Sequence, residues 1–369
     1  MKLALYHPWI KSKGGAEKVL LETLKRSEHE VTLFTLYYDP DRTFEEFEKY
    51  DVEVLGSNRE PSGFLDRVLR FGFGTMFTEL PLEGYDALVV SESGLGSLIT
   101  FRNHSLPVHC YCHTPLRAAL PGFHRRYRQE LDWYLRPLFD IGTLVYDLLE
   151  KRAWKGFDSV MANSELTRGR IEQKEIYNDD IKVINPGVDV GEFESGGDFE
   201  PYFLYPSRFR RYKRQELAIE AFREADIEGF SLVLAGSAQE EDYIEELEEA
   251  AGEDVEIRTD VPEEEWRELY ENAYSVLFLA EQEDWGIAPL EAMAAGKPVI
   301  AVKGGGYEEV VEHGETGVLV DPEPEIIAAA MEELANDEKA VRMMGRHGKQ
   351  VVQAYSWENF IERFDENVG

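Results

Sequence analysis

The sequence predicts an α/β protein built from two doubly wound parallel-sheet units. Three observations carry that expectation. Short apolar runs alternate with longer amphipathic ones; the alternation is interrupted once by a stretch rich in Gly, Asp and Pro; and it then restarts. With 369 residues the chain is long enough for about two domains, and 43% hydrophobic residues can fill a core in each.

In chain order, KLALYH (2–7) reads as a buried strand. GGAEKVLLETLKR (14–26) reads as the helix after it, with Val19, Leu20, Leu21 and Leu24 on one side. EVTLFTL (30–36), ALVVS (87–91), VHCYCH (108–113), SVMAN (159–163) and IKVINPG (181–187) read as further strands separated by helix-sized segments. The interruption is NPGVDVGEFESGGDFEP (185–201). Beyond it come strands at 202–207, 230–236, 255–260, 275–280 and 298–302, with helices at 213–226, 240–251, 263–273 and 289–295 between them. The expected division is an N-terminal unit over 1–187, a linker over 188–200, a C-terminal unit over 201–350, and a final helix over 351–369 packing back on the first unit. Ligands of such folds bind beyond the carboxyl ends of the strands, here expected in a cleft between the units.

The charge balance is strongly acidic, 73 Asp and Glu against 39 Lys and Arg, for a formal net charge of −34. The acids are spread over helix faces, as in PEEEWRELYENA (262–273), which is the pattern of a solvated surface in a salt-rich cytoplasm. Such a balance argues against nucleic acid as a partner, because a phosphate backbone needs a broad basic face. The two cysteines, Cys110 and Cys112, lie two apart on one strand and make a poor disulfide, which points to a reducing compartment. The start, MKLALYHPWIKSKGG, does not read as a signal peptide, and no apolar run is long enough to span a bilayer. DPD (39–41) is a proline turn rather than a metal-binding Asp-x-Asp, and no metal or other cofactor is expected.

Against this background SRFRRYKR (207–214) concentrates Arg208, Arg210, Arg211, Lys213 and Arg214 just after a strand and just before a helix. Arg208 and Lys213 could grip one polyanion, Arg as a fork and Lys as a point charge. A solvated basic turn answered by neighbouring acid would explain the same cluster. The second feature is AEQEDWGIAPLEAMAAGKPVIAVKGGGYEEVVEHGETGVLV (280–320). Glu283 and Glu291 flank Gly286, and the backbone N–H groups of Gly286, Ile287 and Ala288 open a helix whose N-terminus favours anions.

Together SRFRRYKRQELAIEAF, EDWGIAPLEAMAAGKPVIA and GGGYEEVVEHGETGVLV resemble the retaining glycosyltransferases of family 4, which have the GT-B fold of two facing Rossmann-like domains. The likeness runs from GGAE (14–17) to SWENF (356–360), and YCHTPLR (111–117) and NSELTRGRI (163–171) are similar to its mannosyltransferases. The resemblance implies a nucleotide-sugar donor, with GDP-mannose favoured, and a glycan or lipid-phosphate-linked acceptor. It implies that Arg208 and Lys213 hold the donor diphosphate, Glu283 the donor sugar and Glu291 the ribose. Gly286, Ile287 and Ala288 would touch sugar and phosphate, His113 would face the sugar, and Gly14 and Gly15 would lie near the phosphates. After HTPLR the chain departs from the pattern of those relatives, which continue with an aromatic residue and a Trp-Asp pair. In its place stand Arg117, Arg125, Arg126, Arg128 and Arg136 among Phe123, Tyr127, Trp133 and Tyr134. These residues, and the apolar GFLDRVLRFGFGTMF (63–77), could meet an acceptor phosphate or the cytoplasmic face of a membrane; a helix salt-bridged to its own acids explains the first equally well, and core with a loop explains the second. A sugar-nucleotide 2-epimerase of the same architecture and a catalytically silent subunit are the competing readings.

Overall fold

The computed structural model describes residues 1–369 except 57, 60–65, 67 and 194–198. The chain divides into two compact units. One comprises Met1–Asn185 with Phe360–Gly369, the other Pro186–Asn359.

Among its described residues the first unit holds seven strands: β1 (Lys2–Tyr6), β2 (Glu30–Thr35), β3 (Val52–Val54), β4 (Ala87–Ser93), β5 (Val108–Thr114), β6 (Ser159–Ala162) and β7 (Ile181–Val183). They pair in parallel in the order β3-β2-β1-β4-β5-β6-β7. Leu3, Ala4, Leu5 and Tyr6 are all buried, as are Leu88, Val89 and Val90, because helices cover both faces of the sheet. That is why these strands read as continuous apolar runs rather than alternating ones. The last strand is shorter than 181–187. Pairing stops at Val183, just before Asn185 and Pro186, and proline cannot donate to a ladder. Cys110 and Cys112 are buried free thiols.

The second unit holds β8 (Tyr202–Pro206), β9 (Ser231–Gly236), β10 (Val255–Thr259), β11 (Ser275–Phe278), β12 (Val299–Val302) and β13 (Gly317–Val320), parallel in the order β10-β9-β8-β11-β12-β13. In each sheet the winding reverses beside the first strand, between β1 and β4 and between β8 and β11. The loops leaving those neighbours diverge and open a crevice. Two helices start elsewhere than expected. Arg214 is left-handed at φ 58°, so a 3-10 turn over Arg211–Lys213 precedes a helix that begins at Gln215. Helix Ile287–Ala294 begins two residues early, capped by Gly286. Residues 188–193 of the expected linker are folded into this unit. Val188 and Phe193 are buried, and the Val188 N–H donates to the Tyr355 carbonyl at 2.9 Å. Of the final helix, Trp357–Val368, Phe360 and Phe364 pack edge-on against Tyr111 of the first unit's β5.

Backbone contact fixes one position in the second unit tightly. A Cβ on Gly345 would stand 1.9 Å from the Gly296 carbonyl oxygen, whereas a Cβ on Gly142, in helix Arg136–Ala153, would meet nothing within 4 Å. Gly345→Ala should therefore destabilise the second unit by about 2 kcal/mol or more in urea unfolding. Gly142→Ala should stabilise the first by about 0.5–1 kcal/mol through helix propensity. Equal and small effects of the two substitutions would contradict this packing.

Candidate active site

In the second unit the loop after β8 carries Arg208–Arg214 and the loop after β11 carries Glu281–Gly286. They meet at the point where the winding reverses, with the Glu281 N–H donating to the Tyr212 carbonyl at 3.2 Å. There Lys213 Nζ lies 2.7 Å from Glu283 Oε2, with the side chains 9% and 19% exposed. The lysine is also 5.2 Å from the Tyr212 ring centroid and 5.6 Å from that of Phe278. Its backbone is held as well: its N–H donates to the Arg210 carbonyl at 2.8 Å, and the Tyr205 hydroxyl donates to its carbonyl.

The five cations of the cluster divide. Arg211 makes a two-pronged pair with Glu246 at 2.6 Å, Arg214 pairs with Glu281 at 3.3 Å, and Arg210 Nε donates to Gln239 at 2.8 Å. For these three the explanation of a basic turn answered by neighbouring groups holds. Arg208 instead donates to the Tyr212 hydroxyl at 3.2 Å, and its carbonyl accepts from Gln215 Nε2 at 2.9 Å, so both it and Lys213 are fixed at the mouth of the crevice.

Gly286 caps helix Ile287–Ala294 at φ 91°, and a Cβ there would stand 2.9 Å from the Phe278 ring. Only glycine lets the chain turn this closely over the aromatic ring. The turn presents the N–H groups of the first helical residues, Ile287 and Ala288, at a positive helix end. One turn along, Glu291 accepts a 2.6 Å hydrogen bond from the buried Tyr270 hydroxyl, which fixes its carboxylate. The Gly306 N–H donates to the Glu283 carbonyl at 2.9 Å, and the Glu308 carboxylate accepts from the N–H groups of Gly304 and Gly305. Lys213, Glu283, Glu291 and the helix start thus belong to one constellation on neighbouring loops.

In the first unit His113, at the end of β5, is linked to Ser91 Oγ by a 2.9 Å hydrogen bond, and Ser91 Oγ to His7 Nδ1 by one of 3.0 Å. Burial lowers the pKa of His7 to about 4, and burial together with the neighbouring His7 lowers that of His113 to about 3. Both imidazoles are neutral at pH 7. Glu92, one residue on from Ser91, is pushed up to about 7 by burial and by Glu150, and accepts from the backbone N–H groups of Gly94 and Ser97. Gly14 caps helix Gly15–Arg26, where the buried Glu17 accepts from the Ser12 hydroxyl at 3.0 Å. The arginines after β5 are dispersed. Arg117 stacks on Phe123 at 5.3 Å, Arg126 pairs with Glu130 at 3.3 Å, Arg128 pairs with Asp140 at 2.9 Å, and Arg125 is exposed.

Sequence reasoning missed Tyr270, Phe278, His7 and Ser91. Tyr270 sits in an acidic amphipathic helix whose pattern signals only burial. His7 follows an apolar strand and carries no motif.

Residues 13–192 match the family Glycosyltransferase Family 4, and residues 194–351 match Glycosyl transferases group 1. Alpha-1,3/1,6-mannosyltransferase ALG2 of Dictyostelium discoideum is 27% identical across 100% of this chain and 98% of its own length. That of Homo sapiens is 26% identical across 95% and 91%. Among solved structures, Anabaena HepE in complex with UDP and glucose aligns with a TM-score of 0.76 at 19% identity, covering 100% of this chain and 99% of its own. Sucrose-phosphate synthase from Thermosynechococcus elongatus aligns at 0.78 and 20%, covering 100% and 98%. Two parallel Rossmann-like sheets with these likenesses define a glycosyltransferase of the GT-B fold. The first unit carries the Glycosyltransferase Family 4 domain and the second the Glycosyl transferases group 1 domain, and the chain is a glycosyltransferase of the family 4 type.

The dry polar groups of the first unit set a pH dependence. Between about pH 5 and 6 an unfolded chain protonates both His7 and His113, which stay neutral when folded, while the folded chain keeps a proton on Glu92 that the unfolded chain loses. Two protons less one leaves these groups stabilising the fold as pH rises, by about 1.4 kcal/mol per pH unit. Glu92→Gln removes the opposing proton, so the slope of unfolding free energy against pH in that window should steepen by about 1.4 kcal/mol per unit. An unchanged slope would mean Glu92 is already ionised in the fold.

Proposed function

We propose that this chain transfers mannose from GDP-mannose, with retention at the anomeric carbon, to a glycan carried on a lipid phosphate. The observation that carries the reading is the Lys213–Glu283 pair at 2.7 Å beside the start of helix Ile287–Ala294. A cation, a carboxylate and a positive helix end grouped on two loops suit a sugar diphosphate. Mannose and the glycan acceptor are supported by the mannosyltransferase names of the relatives, and a nucleoside diphosphate by the UDP complex of HepE. Those transferase names also count against the 2-epimerase.

In this reading Arg208, Lys213 and the N–H groups of Ile287 and Ala288 receive the diphosphate. Glu283 turns from Lys213 to a hydroxyl of the donor sugar, and Glu291, held by Tyr270, accepts from the ribose. The reaction breaks the bond from the anomeric carbon to the β-phosphate oxygen, whose electron pair stays on GDP. Negative charge builds there while the sugar becomes oxocarbenium-like, and preorganised cations lower the barrier. The acceptor hydroxyl attacks from the face the diphosphate leaves, and its proton passes to the departing phosphate oxygen. No metal takes part in this scheme. His113, kept neutral, offers the sugar a hydrogen bond without a charge that would oppose the oxocarbenium. In the same reading Gly14 and Gly15 would serve the phosphates and acceptor, and Arg117, Arg125, Arg126 and Arg128 the acceptor phosphate. A lipid-borne acceptor brings the chain to a membrane surface.

Lys213→Ala should lower mannosyl transfer by about 100- to 1,000-fold and abolish GDP binding by calorimetry, with the melting temperature checked alongside. Lys303→Ala should change neither, since Lys303 is half-exposed and paired with Asp321 at 2.9 Å. Tight GDP binding that survives Lys213→Ala would overturn the assignment of the diphosphate site.

A further inference from the structure

Three neighbouring strand ends of the first unit share one polar chain. His7 follows β1, Ser91 lies on β4 and His113 on β5, and the pairing order puts β4 between the other two. Tyr6 pairs with Val90, so His7 comes level with Ser91 at the point where the winding reverses. The ladder between β4 and β5 breaks here. Glu92 pairs with Cys112 and Ser93 with Thr114, which leaves His113 without a partner across the ladder. Such a bulge re-aims the side chain it carries and is common beside active sites. Both rings are held in place by aromatic neighbours. Tyr111 stands edge-on to His113 at 5.1 Å, and Trp9 edge-on to His7 at 6.1 Å. His113 is 8% exposed.

The chain of hydrogen bonds has a direction. His7 Nδ1 lies 3.1 Å from the Ser91 carbonyl oxygen and 3.0 Å from Ser91 Oγ. A carbonyl only accepts, so Nδ1 is the His7 nitrogen that bears hydrogen, and it donates to both oxygens. It cannot then accept from the Ser91 hydroxyl. The single hydrogen of that hydroxyl has one acceptor left, His113 Nε2 at 2.9 Å. Were Nε2 the donor instead, the Ser91 hydrogen would be stranded in a residue 2% exposed, at the cost of an unmade buried bond. Both imidazoles are neutral, and a neutral ring carries one hydrogen, which in His113 falls on Nδ1. Among the described residues nothing hydrogen-bonds His113 Nδ1; the one other bond at this residue runs from the Thr167 hydroxyl to its backbone carbonyl, at 3.4 Å. We infer that His7 and Ser91 are positioning residues that lock His113 as the Nδ1–H tautomer, so that it meets the donor sugar only as a hydrogen-bond donor. The purpose of the lock rests on the proposed function, in which His113 faces that sugar; the lock itself does not. Fixed polarity is also selective. A sugar oxygen with a free lone pair satisfies Nδ1–H, whereas the ammonium group of an amino sugar would set donor against donor and be rejected.

The test is a long-range proton–nitrogen correlation spectrum of the histidine rings in the full chain, with His113 assigned by its loss in His113→Gln. In wild type, His113 Nδ1 should resonate as a protonated ring nitrogen and Nε2 as an unprotonated one. Ser91→Ala removes the donor to Nε2, so the two nitrogens should shift toward each other as the tautomers mix. His7→Asn sets an amide N–H where Nδ1 stands and should keep the wild-type pattern, while His7→Phe should lose it. In mannosyl transfer, Ser91→Ala and His7→Phe should each lower kcat by about tenfold, roughly the worth of one hydrogen bond, and His7→Asn should restore it. GDP binding by calorimetry should stay unchanged in all three. Hydrogen on Nε2 in wild type, or a pattern that Ser91→Ala leaves untouched, would overturn the lock whatever the activity. Equal losses of kcat in the two His7 variants would remove His7 from it. The Nδ1–H tautomer in a folded chain that transfers no mannose would sink the catalytic reading and leave the lock standing.

Discussion

The structure turns on a nearly dry ion pair, Lys213 with Glu283 at 2.7 Å. Two charges so little exposed gain scant net stability from each other, because desolvation offsets most of the attraction. Removing either one, however, strands its partner. In the proposed function each of the two exchanges the other for a new partner, the lysine a diphosphate and the carboxylate a sugar hydroxyl. The surrounding fold follows from this constraint. The β8 and β11 loops must diverge and still touch, Gly286 must be glycine to pass over Phe278, and Tyr205 must hold the Lys213 carbonyl.

The first unit solves a different problem. Its polar groups at the strand ends, His7, Ser91 and His113, are linked in a buried chain and carry no charge at pH 7. Neutral hydrogen-bonding groups can orient a sugar without opposing the positive charge it develops. The two units thus differ in their electrostatics: an ion pair lies at the β8 and β11 loops of the second, and a neutral hydrogen-bonded chain at the strand ends of the first. In a chain of net charge −34, cations cluster at the β8 loop and in the arginines after β5.

The central strands were legible because burial on both faces writes an unbroken apolar run. The edge strands were not: Val52–Val54 is too short to show a period, and Gly317–Val320 lies inside a stretch that reads first as a glycine-rich motif. The basic cluster was legible as a cluster. Its division was not, because the partners of Arg211 and Arg214, Glu246 and Glu281, lie 35 and 67 residues away and only folding brings them close. Glu291 was marked by its spacing from Glu283, but nothing in RELYENA marks Tyr270 as its support. The 136–153 helix shows why periodicity stops short: it tells that a face is apolar, not whether the fold covers it.

The central claim is that donor binding breaks the Lys213–Glu283 pair and gives each group a new partner. A crystal structure with GDP-mannose bound tests this most directly. The account predicts Lys213 Nζ within hydrogen-bond distance of a diphosphate oxygen, at about 2.7–3.0 Å, and the Glu283 carboxylate on a mannose hydroxyl. An intact Lys213–Glu283 pair with the diphosphate bound elsewhere would contradict it.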